Sequence, residues 1–231
     1  MIPGKREARL AGLLYFLFVL AGPFCLIYVP GKIMVSGDAP ATAANLLAHE
    51  TLLRISVAVF LSGLAVWVVL GVVLQHMFSS VSKPLATMLL VFVAIAAGLG
   101  FANEVNYLAA IAVLRGDEFS MLGLPQRQAA AMLFMRLHSL GIVVSEMFWG
   151  LWLLPFGLLV IRSRFIPKLL GFWLLLDGAA YIAICLIDLI SPGYGNLAFK
   201  VAQPALLAEL AIMLWLITVG VRPQSASNAG S

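Results

Sequence analysis

A few ionisable side chains interrupt the long apolar stretches of this 231-residue chain. They are Glu104, Arg136, His138, Glu146, Asp177, Asp188 and Glu209. An ionisable group at the depth of a bilayer costs roughly 2.5–3.5 kcal/mol on insertion scales, so each is a candidate functional residue. Most are carboxylates, and a buried carboxylate without a counter-charge must be protonated, hydrated or bound to a cation. The set therefore has the chemistry of a proton site or a cation site.

Helical spacing places several of these side chains on shared faces. Asp177, Tyr181 and Asp188 are separated by four and seven residues, which puts them on one stripe of the fifth apolar segment. Glu104 shares its stripe with Tyr107 and with small residues that would let another helix approach closely. These stripes predict polar contacts between helices inside the membrane.

Depth in the membrane suggests partners for Glu104. At about 1.5 Å per residue, Glu104, Arg136 and His138 lie at a similar height, near the outer boundary. We expect Arg136 to neutralise one carboxylate, either Glu104 or Asp188. Together with Asn103, these side chains could form a structural lock between helices or line a binding site, and the sequence leaves both interpretations open.

The stripes together predict a polar pocket in the outer half of the membrane. Its candidate ligand-binding residues are Asn103, Glu104, Tyr107, Arg136, His138, Glu146, Asp177, Tyr181 and Asp188. The expected ligand is a small molecule, an ion or a lipid. The sequence has no CxxC, HExxH or paired Cys/His spacing, so it predicts no metal site, and it identifies neither a cofactor nor catalytic residues.

Composition places the chain in a membrane. Hydrophobic residues make up 63% of it and charged residues 10%, against roughly 25% charged in a soluble domain. The mean hydropathy is +1.06. The expected partner is the lipid bilayer. Nucleic acid is not an expected partner, because the basic residues form no cluster interleaved with aromatic residues.

Several segments reach the length of about 20 mostly apolar residues that a spanning helix needs. We predict an all-α fold, an integral membrane six-helix transmembrane bundle, with spans near residues 10–30, 53–77, 85–113, 132–161, 166–190 and 199–221. The bundle is expected to form a single domain over residues 1–222. The polar tail 223–231 should be disordered.

Lysines and arginines near the span ends predict the orientation. The side expected to be cytoplasmic carries Lys5, Arg6, Arg9, Lys83, Arg162, Arg164, Lys168 and Arg222. Both termini would then be cytoplasmic. On the opposite side, Asp38 should cap a short helix. The segment GLPQRQAAAMLFMR, which begins at Gly123, should form a helix along the outer surface before the fourth span.

The stretch from Glu146 to Ile184 contains a pattern of turn and packing residues. They are Trp152, Pro155, Gly157, Leu159 and Val160, then Pro167, Leu170 and Gly171, then Gly178 and Tyr181. This pattern resembles the DUF4386 family of bacterial multi-pass membrane proteins, as do REARLAGLLY and GDAPATAANLLAHETLLR, so the resemblance covers most of residues 6–190. It implies the six-helix fold and a bacterial inner (plasma) membrane. The family's function is unknown, and it supplies no catalytic residues.

The leading functional hypothesis is a multi-pass inner-membrane protein whose outward-facing polar pocket binds or transports a small molecule, ion or lipid. One alternative is a membrane-embedded metal-dependent enzyme, in which His138 and carboxylates hold the metal. The other is a structural or accessory subunit, whose polar stripes hold helices or a partner together.

Overall fold

Long apolar helices make up most of the fold. The computed structural model describes residues 4–221. Its helices are α1 (Lys5–Gly22), α2 (Val29–Ile33), α3 (Ala39–Ala48), α4 (Glu50–Phe78), α5 (Lys83–Arg115), α6 (Leu124–Ser163), α7 (Lys168–Ile190) and α8 (Gly195–Thr218). A π-helical turn (Pro23–Tyr28) joins α1 to α2, and a 3-10 turn (Pro192–Tyr194) precedes α8. The described part of the chain contains no strand.

The predicted all-α fold with six apolar spans is confirmed. The six helical segments long and apolar enough to cross a membrane are Lys5–Ile33, Glu50–Phe78, Lys83–Arg115, Leu124–Ser163, Lys168–Ile190 and Pro192–Thr218. Most of them extend past the predicted bounds, because helical hydrogen bonding continues into polar turns at their ends. The tail 223–231, predicted to be disordered, lies outside the described residues.

The first span changes its winding at Pro23. Proline lacks a backbone N–H and its ring clashes with the carbonyl four residues earlier, so a regular α-helix cannot continue unchanged through it. The turn Pro23–Tyr28 is π-helical and buries Cys25. The Cys25 thiol donates a hydrogen bond to the backbone carbonyl of Ser56 in α4, at 3.4 Å. This contact ties the altered turn to α4.

The cap predicted at Asp38 is confirmed. Asp38 Oδ1 accepts a hydrogen bond of 2.8 Å from the backbone N–H of Ala41, at the start of α3. This bond satisfies one of the donors that a helix leaves unpaired in its first turn. It fixes where α3 begins, and α3 then buries Leu46 completely.

The separate surface helix predicted after Gly123 is wrong. Helix α6 begins at Leu124 and continues without interruption to Ser163. At about 1.5 Å per residue it is about 60 Å long, which is twice the roughly 30 Å of a hydrocarbon core. The Ala- and Gln-rich segment is polar enough to leave the bilayer. It also has high helix propensity, so the helix passes through it unbroken.

The described chain divides into two compact units, and α1, α4, α5 and α6 contribute residues to both. Unit 1 takes its described residues from 1–16, 67–96 and 146–231. Its core is aromatic. Trp152 is 1% exposed and packs against Tyr15, Trp67 and Phe156, with ring centroids 5.5–5.8 Å apart. Trp152 is therefore a core residue.

Unit 2 comprises residues 17–66 and 97–145. Its core is mainly aliphatic and combines buried residues of the π-α2-α3 region with those of α4, α5 and α6. They are Val29, Ile33, Ala43, Leu46, Leu53, Val57, Tyr107, Ala110, Ile111, Leu114, Ala131 and Met135. This cluster surrounds Tyr107, one of the candidate site residues.

Pairs of glycines hold α6 against α7 in unit 1. A Cβ at Gly157 would lie 2.7 Å from the carbonyl oxygen of Gly171, and a Cβ at Gly171 would lie 2.7 Å from that of Gly157. Gly150 and Gly178 repeat the arrangement, with Cβ-to-oxygen distances of 2.5 and 2.8 Å. Small residues let backbones approach closely, and such packing is a main source of helix association in lipid.

We expect Gly157→Ala to reduce the free energy of unfolding by about 1–3 kcal/mol, because the added methyl group must push away the Gly171 backbone. Thermal unfolding in detergent would measure the loss. Gly98→Ala is the matched control, since a Cβ at position 98 of α5 meets nothing within 4 Å. Equal midpoints for the two variants would contradict the packing role of Gly157.

Candidate functional site

The residues around Glu104 form a closed polar cluster in unit 2. His138 Nε2 lies 3.1 Å from Glu104 Oε1, and these side chains are 5% and 6% exposed. The His138 ring stacks on Tyr107, with centroids 3.6 Å apart and an interplanar angle of 19°. Asn103 Nδ2 donates a hydrogen bond of 3.0 Å to the His138 carbonyl. Three side chains of α5 therefore contact one histidine of α6.

Glycine at position 141 makes room for this cluster. A Cβ there would lie 2.0 Å from Asn103 Oδ1. Asn106 Nδ2 donates to the backbone carbonyl of Asn103 at 3.1 Å and to its side-chain oxygen at 3.2 Å. A buried polar network whose members have partners rigidifies the contact between helices. This geometry favours the structural lock, and a ligand-binding role for Asn103, Glu104, Tyr107 and His138 stays a prediction.

Arg136 does not join this cluster. Its side chain is exposed, and Glu104 pairs with His138. The predicted Arg136–Glu104 pair is therefore wrong. Arg136 and His138 are two residues apart, which is about 200° around a helix, so only one of them can face α5. Asp188 was the other predicted partner of Arg136. The ion pairs of the described residues include neither Arg136 nor Asp188.

A second polar cluster, in unit 1, contains two carboxyl groups well inside their helices. Asp177 of α7 is 0% exposed. Glu209 of α8 is partly buried and interacts electrostatically with Asp177. The Tyr15 hydroxyl of α1 donates a hydrogen bond to Glu209 Oε2, and Tyr181 of α7 interacts electrostatically with the Glu209 carboxyl group. Three helices thus converge on the pair Asp177–Glu209.

The Asp177 carboxyl group is buried, and its oxygens lack hydrogen-bond donors of normal geometry. Both of its carboxyl oxygens are shielded from solvent, and neither accepts a hydrogen bond of normal geometry from residues 4–221. The backbone N–H of Glu209 interacts with the Asp177 carboxyl group but does not complete such a bond. Buried side-chain polar atoms usually have a partner, and leaving one unpaired costs about 1–3 kcal/mol, more for a charged group. The ion pairs of the described residues do not include Asp177 or Glu209. Such bare oxygens can accept a proton or a cation.

Two further carboxyl groups continue the polar face of α7 beyond Tyr181. Glu146 Oε2 of α6 is shielded from solvent and has no partner in the described chain. The Glu146 carboxyl group interacts electrostatically with Tyr181 and Asp188. The Asp188 carboxyl group lies against the start of α8, since a Cβ at Gly195 would come within 1.5 Å of its Oδ1. The structure therefore brings Glu146, Asp177, Tyr181 and Asp188 into one unit.

The predicted site omitted two members of the unit 1 cluster. Glu209 is recognisable as an ionisable group in an apolar stretch, but no spacing rule connects α8 with α7. Tyr15 is harder to select as a site residue from the sequence, because tyrosine is common at membrane interfaces. The available signal for Tyr15 was its position, the eleventh residue of a helix that begins at Lys5. That position puts a phenol well below the interface.

No metal site can be assigned in this part of the chain. Residues 4–221 contain no group of three or more His, Cys, Asp and Glu side chains that could hold a metal ion. Among the described residues, Glu104 is the only carboxyl group that contacts the His138 ring nitrogen. The two cysteines, Cys25 and Cys185, are both buried free thiols.

Comparison with known proteins gives a family and nothing more specific. No curated protein matches the chain, and no solved structure matches it. One family model matches residues 10–220, and its description is "Domain of unknown function (DUF4386)". The matched range includes both polar clusters and most of each of the six apolar spans. The chain therefore belongs to the DUF4386 family.

Proposed function

We propose that this chain is a multi-pass membrane protein that binds and releases one proton at the Asp177–Glu209 pair during transport of a small molecule or ion. We place it in a bacterial inner membrane with both termini cytoplasmic. The observation that carries the proposal is the complete burial of Asp177 with both carboxyl oxygens unpaired. The proposed site keeps Asp177 and Tyr181 of the pocket expected from the sequence and adds Glu209 and Tyr15.

Charge repulsion is the physical reason for assigning a proton. Removing a charge from water costs several kcal/mol, and a second like charge beside it adds to that cost. Asp177 and Glu209 face each other without a basic partner in the described chain. One proton leaves a single negative charge on the pair. The hydroxyl groups of Tyr15 and Tyr181 then stabilise that charge at Glu209.

The helices around the pair favour a proton over a metal cation. Intramembrane sodium sites typically use backbone carbonyls released where a spanning helix is broken. Helix α7 is continuous from Lys168 to Ile190, and α8 is continuous from Gly195 to Thr218. The one interior proline of α8, Pro204, frees the carbonyl of Lys200, which lies nine residues before Glu209. Their carbonyls near Asp177 and Glu209 are therefore committed to helical hydrogen bonds. A proton needs only the carboxyl oxygens.

A membrane-soluble carbodiimide tests the proposal, because it modifies protonated carboxyl groups inside a bilayer. We expect peptide mass spectrometry to find one adduct, at Asp177 or Glu209, whose yield falls as pH rises. Asp177→Asn should abolish it. Glu209→Gln should shift its loss to lower pH, because Asp177 then ionises without a neighbouring negative charge. Asp117→Asn is the control, since that carboxyl group lies in an exposed turn.

The result can also contradict the proposal in two ways. Absence of an adduct at both positions over the whole pH range would overturn proton binding. Protection of the pair by sodium at constant pH would show that a metal cation is the ligand.

A further inference from the structure

We infer that the Asp177–Glu209 pair exchanges its proton with one side of the membrane only, through Tyr181, Glu146 and Asp188. The route opens at the end of α7 that terminates at Ile190. This inference rests on the proposed function and adds to it the path and the sidedness of the site. It follows because polar side chains continue from the pair towards Ile190, whereas the helices on the other side of the pair are apolar.

On one side of the pair, polar groups lead outwards. Asp177, Tyr181 and Asp188 lie on one face of the continuous helix α7 and cover about 16 Å along its axis. Glu146 stands beside this face and interacts electrostatically with both Tyr181 and Asp188. Glu146 and Asp188 are each partly exposed. Asp188 is two residues from the end of α7, so it is the outermost member of the series, while Asp177 remains buried.

On the other side of the pair, α1, α6, α7 and α8 carry no ionisable residue in the turns next to the pair. None occurs in residues 10–14 of α1, 147–161 of α6, 169–176 of α7 or 210–218 of α8. The gap between Asp177 and Lys168 is nine residues, or about 14 Å of helix. A proton has no titratable group to occupy along this length.

Close backbone packing also excludes water from this apolar half. Gly157 and Gly171 bring α6 and α7 together so tightly that a Cβ on either would lie 2.7 Å from the other's carbonyl oxygen. A Cβ at Gly12 of α1 would likewise lie 2.7 Å from the backbone nitrogen of Ile217 in α8. These contacts leave no space for a file of water molecules between the paired helices.

Tyr181 has the right neighbours to relay a proton. Its hydroxyl group interacts electrostatically with the Glu209 carboxyl group on one side and with Glu146 on the other. It can donate its own proton to Glu209 while its oxygen accepts one from the Glu146 side, so its proton count is unchanged. The titratable groups that face the pair are Tyr15 of α1, Tyr181 of α7 and, through Tyr181, Glu146 of α6. All are acids or phenols, which can pass a proton without holding a fixed positive charge.

The test uses the full-length protein in proteoliposomes of known orientation, with carbodiimide pulses after a pH jump on one side. We expect labelling of the pair to follow the pH on the Ile190 side and to ignore a jump on the other side. Tyr181→Phe and Glu146→Gln should slow the response about a hundredfold, as expected when a positioned proton-transfer group is removed. The final extent of labelling should not change when the jump ends at a pH low enough to protonate the pair fully. Tyr28→Phe, an exposed tyrosine of unit 2, is the control.

The outcomes separate the route from the site. Equal responses to jumps on the two sides, or an unslowed response in both variants, would overturn the route while the labelled pair still supports proton binding. No labelling of the wild-type pair at any pH would overturn proton binding and the route with it. If Tyr181→Phe does not fold, Glu146→Gln decides the point alone.

Discussion

His138→Ala should destabilise the protein by roughly 3–5 kcal/mol, the range found when a large buried ring is replaced by alanine. The substitution leaves Glu104 buried without its partner and removes the ring that stacks on Tyr107. It also leaves a cavity where the imidazole was, which adds to the loss. Reversible unfolding in mixed micelles, followed by tryptophan fluorescence, would measure the change.

Glu104→Gln is the matched control for this prediction. The amide keeps the size of the carboxyl group and can still form a hydrogen bond with His138, so most of the stability should remain. Carbodiimide labelling of Asp177–Glu209 should be unchanged, because Glu104 has no part in that site. Full stability in His138→Ala would contradict the lock. A stable Glu104→Gln protein without labelling would assign Glu104 a functional role.

The spans could be predicted from the sequence because apolar length and helix signals are local properties. Asp38 caps α3 as expected, since the interaction joins residues only three apart. The error at α6 has a physical cause. The polar segment after Leu124 suggested that the span began later, but polarity does not end a helix. Helices end at capping interactions or backbone constraints, and α6 meets no proline between its first turn and Pro155.

The candidate site was predictable along each helix and much less so between helices. The polar face formed by Asp177, Tyr181 and Asp188 follows from helical periodicity. The choice of His138 over Arg136 as the partner of Glu104 depends on helix rotation, and depth alone does not determine it. The contact between Tyr15 and Glu209 joins residues 194 positions apart, so no spacing rule could find it.

The two buried carboxylates, Glu104 and Asp177, illustrate opposite uses of a polar group in a membrane helix. Glu104 has a protein partner, and its neighbours complete a network between α5 and α6. Asp177 is at least as deeply buried but has no hydrogen-bond partner in the described chain. Replacing a side chain that contributes to stability should lower the free energy of unfolding. Replacing a side chain that is kept for function at a cost in stability should raise it.

Asp177→Asn should therefore raise the stability of the protein by about 1–3 kcal/mol while abolishing carbodiimide labelling of the pair. The substitution conserves shape, removes the repulsion from Glu209, and introduces an amide that can donate a hydrogen bond to Glu209. For a protein of this size, each kcal/mol corresponds to roughly 2–4 °C in Tm. Thermal unfolding at neutral pH, with Asp117→Asn as the exposed control, would measure the shift.

Stability and carbodiimide labelling, measured together on Asp177→Asn, distinguish a functional role of Asp177 from a structural one. Higher stability together with lost labelling would mean that the wild-type carboxyl group is retained for proton binding despite its cost. Lower stability with labelling preserved at Glu209 would mean that Asp177 has a structural partner in the folded protein. Asp177 would then belong with Glu104 among the residues that hold helices together, and the proton site would have to lie at Glu209 alone.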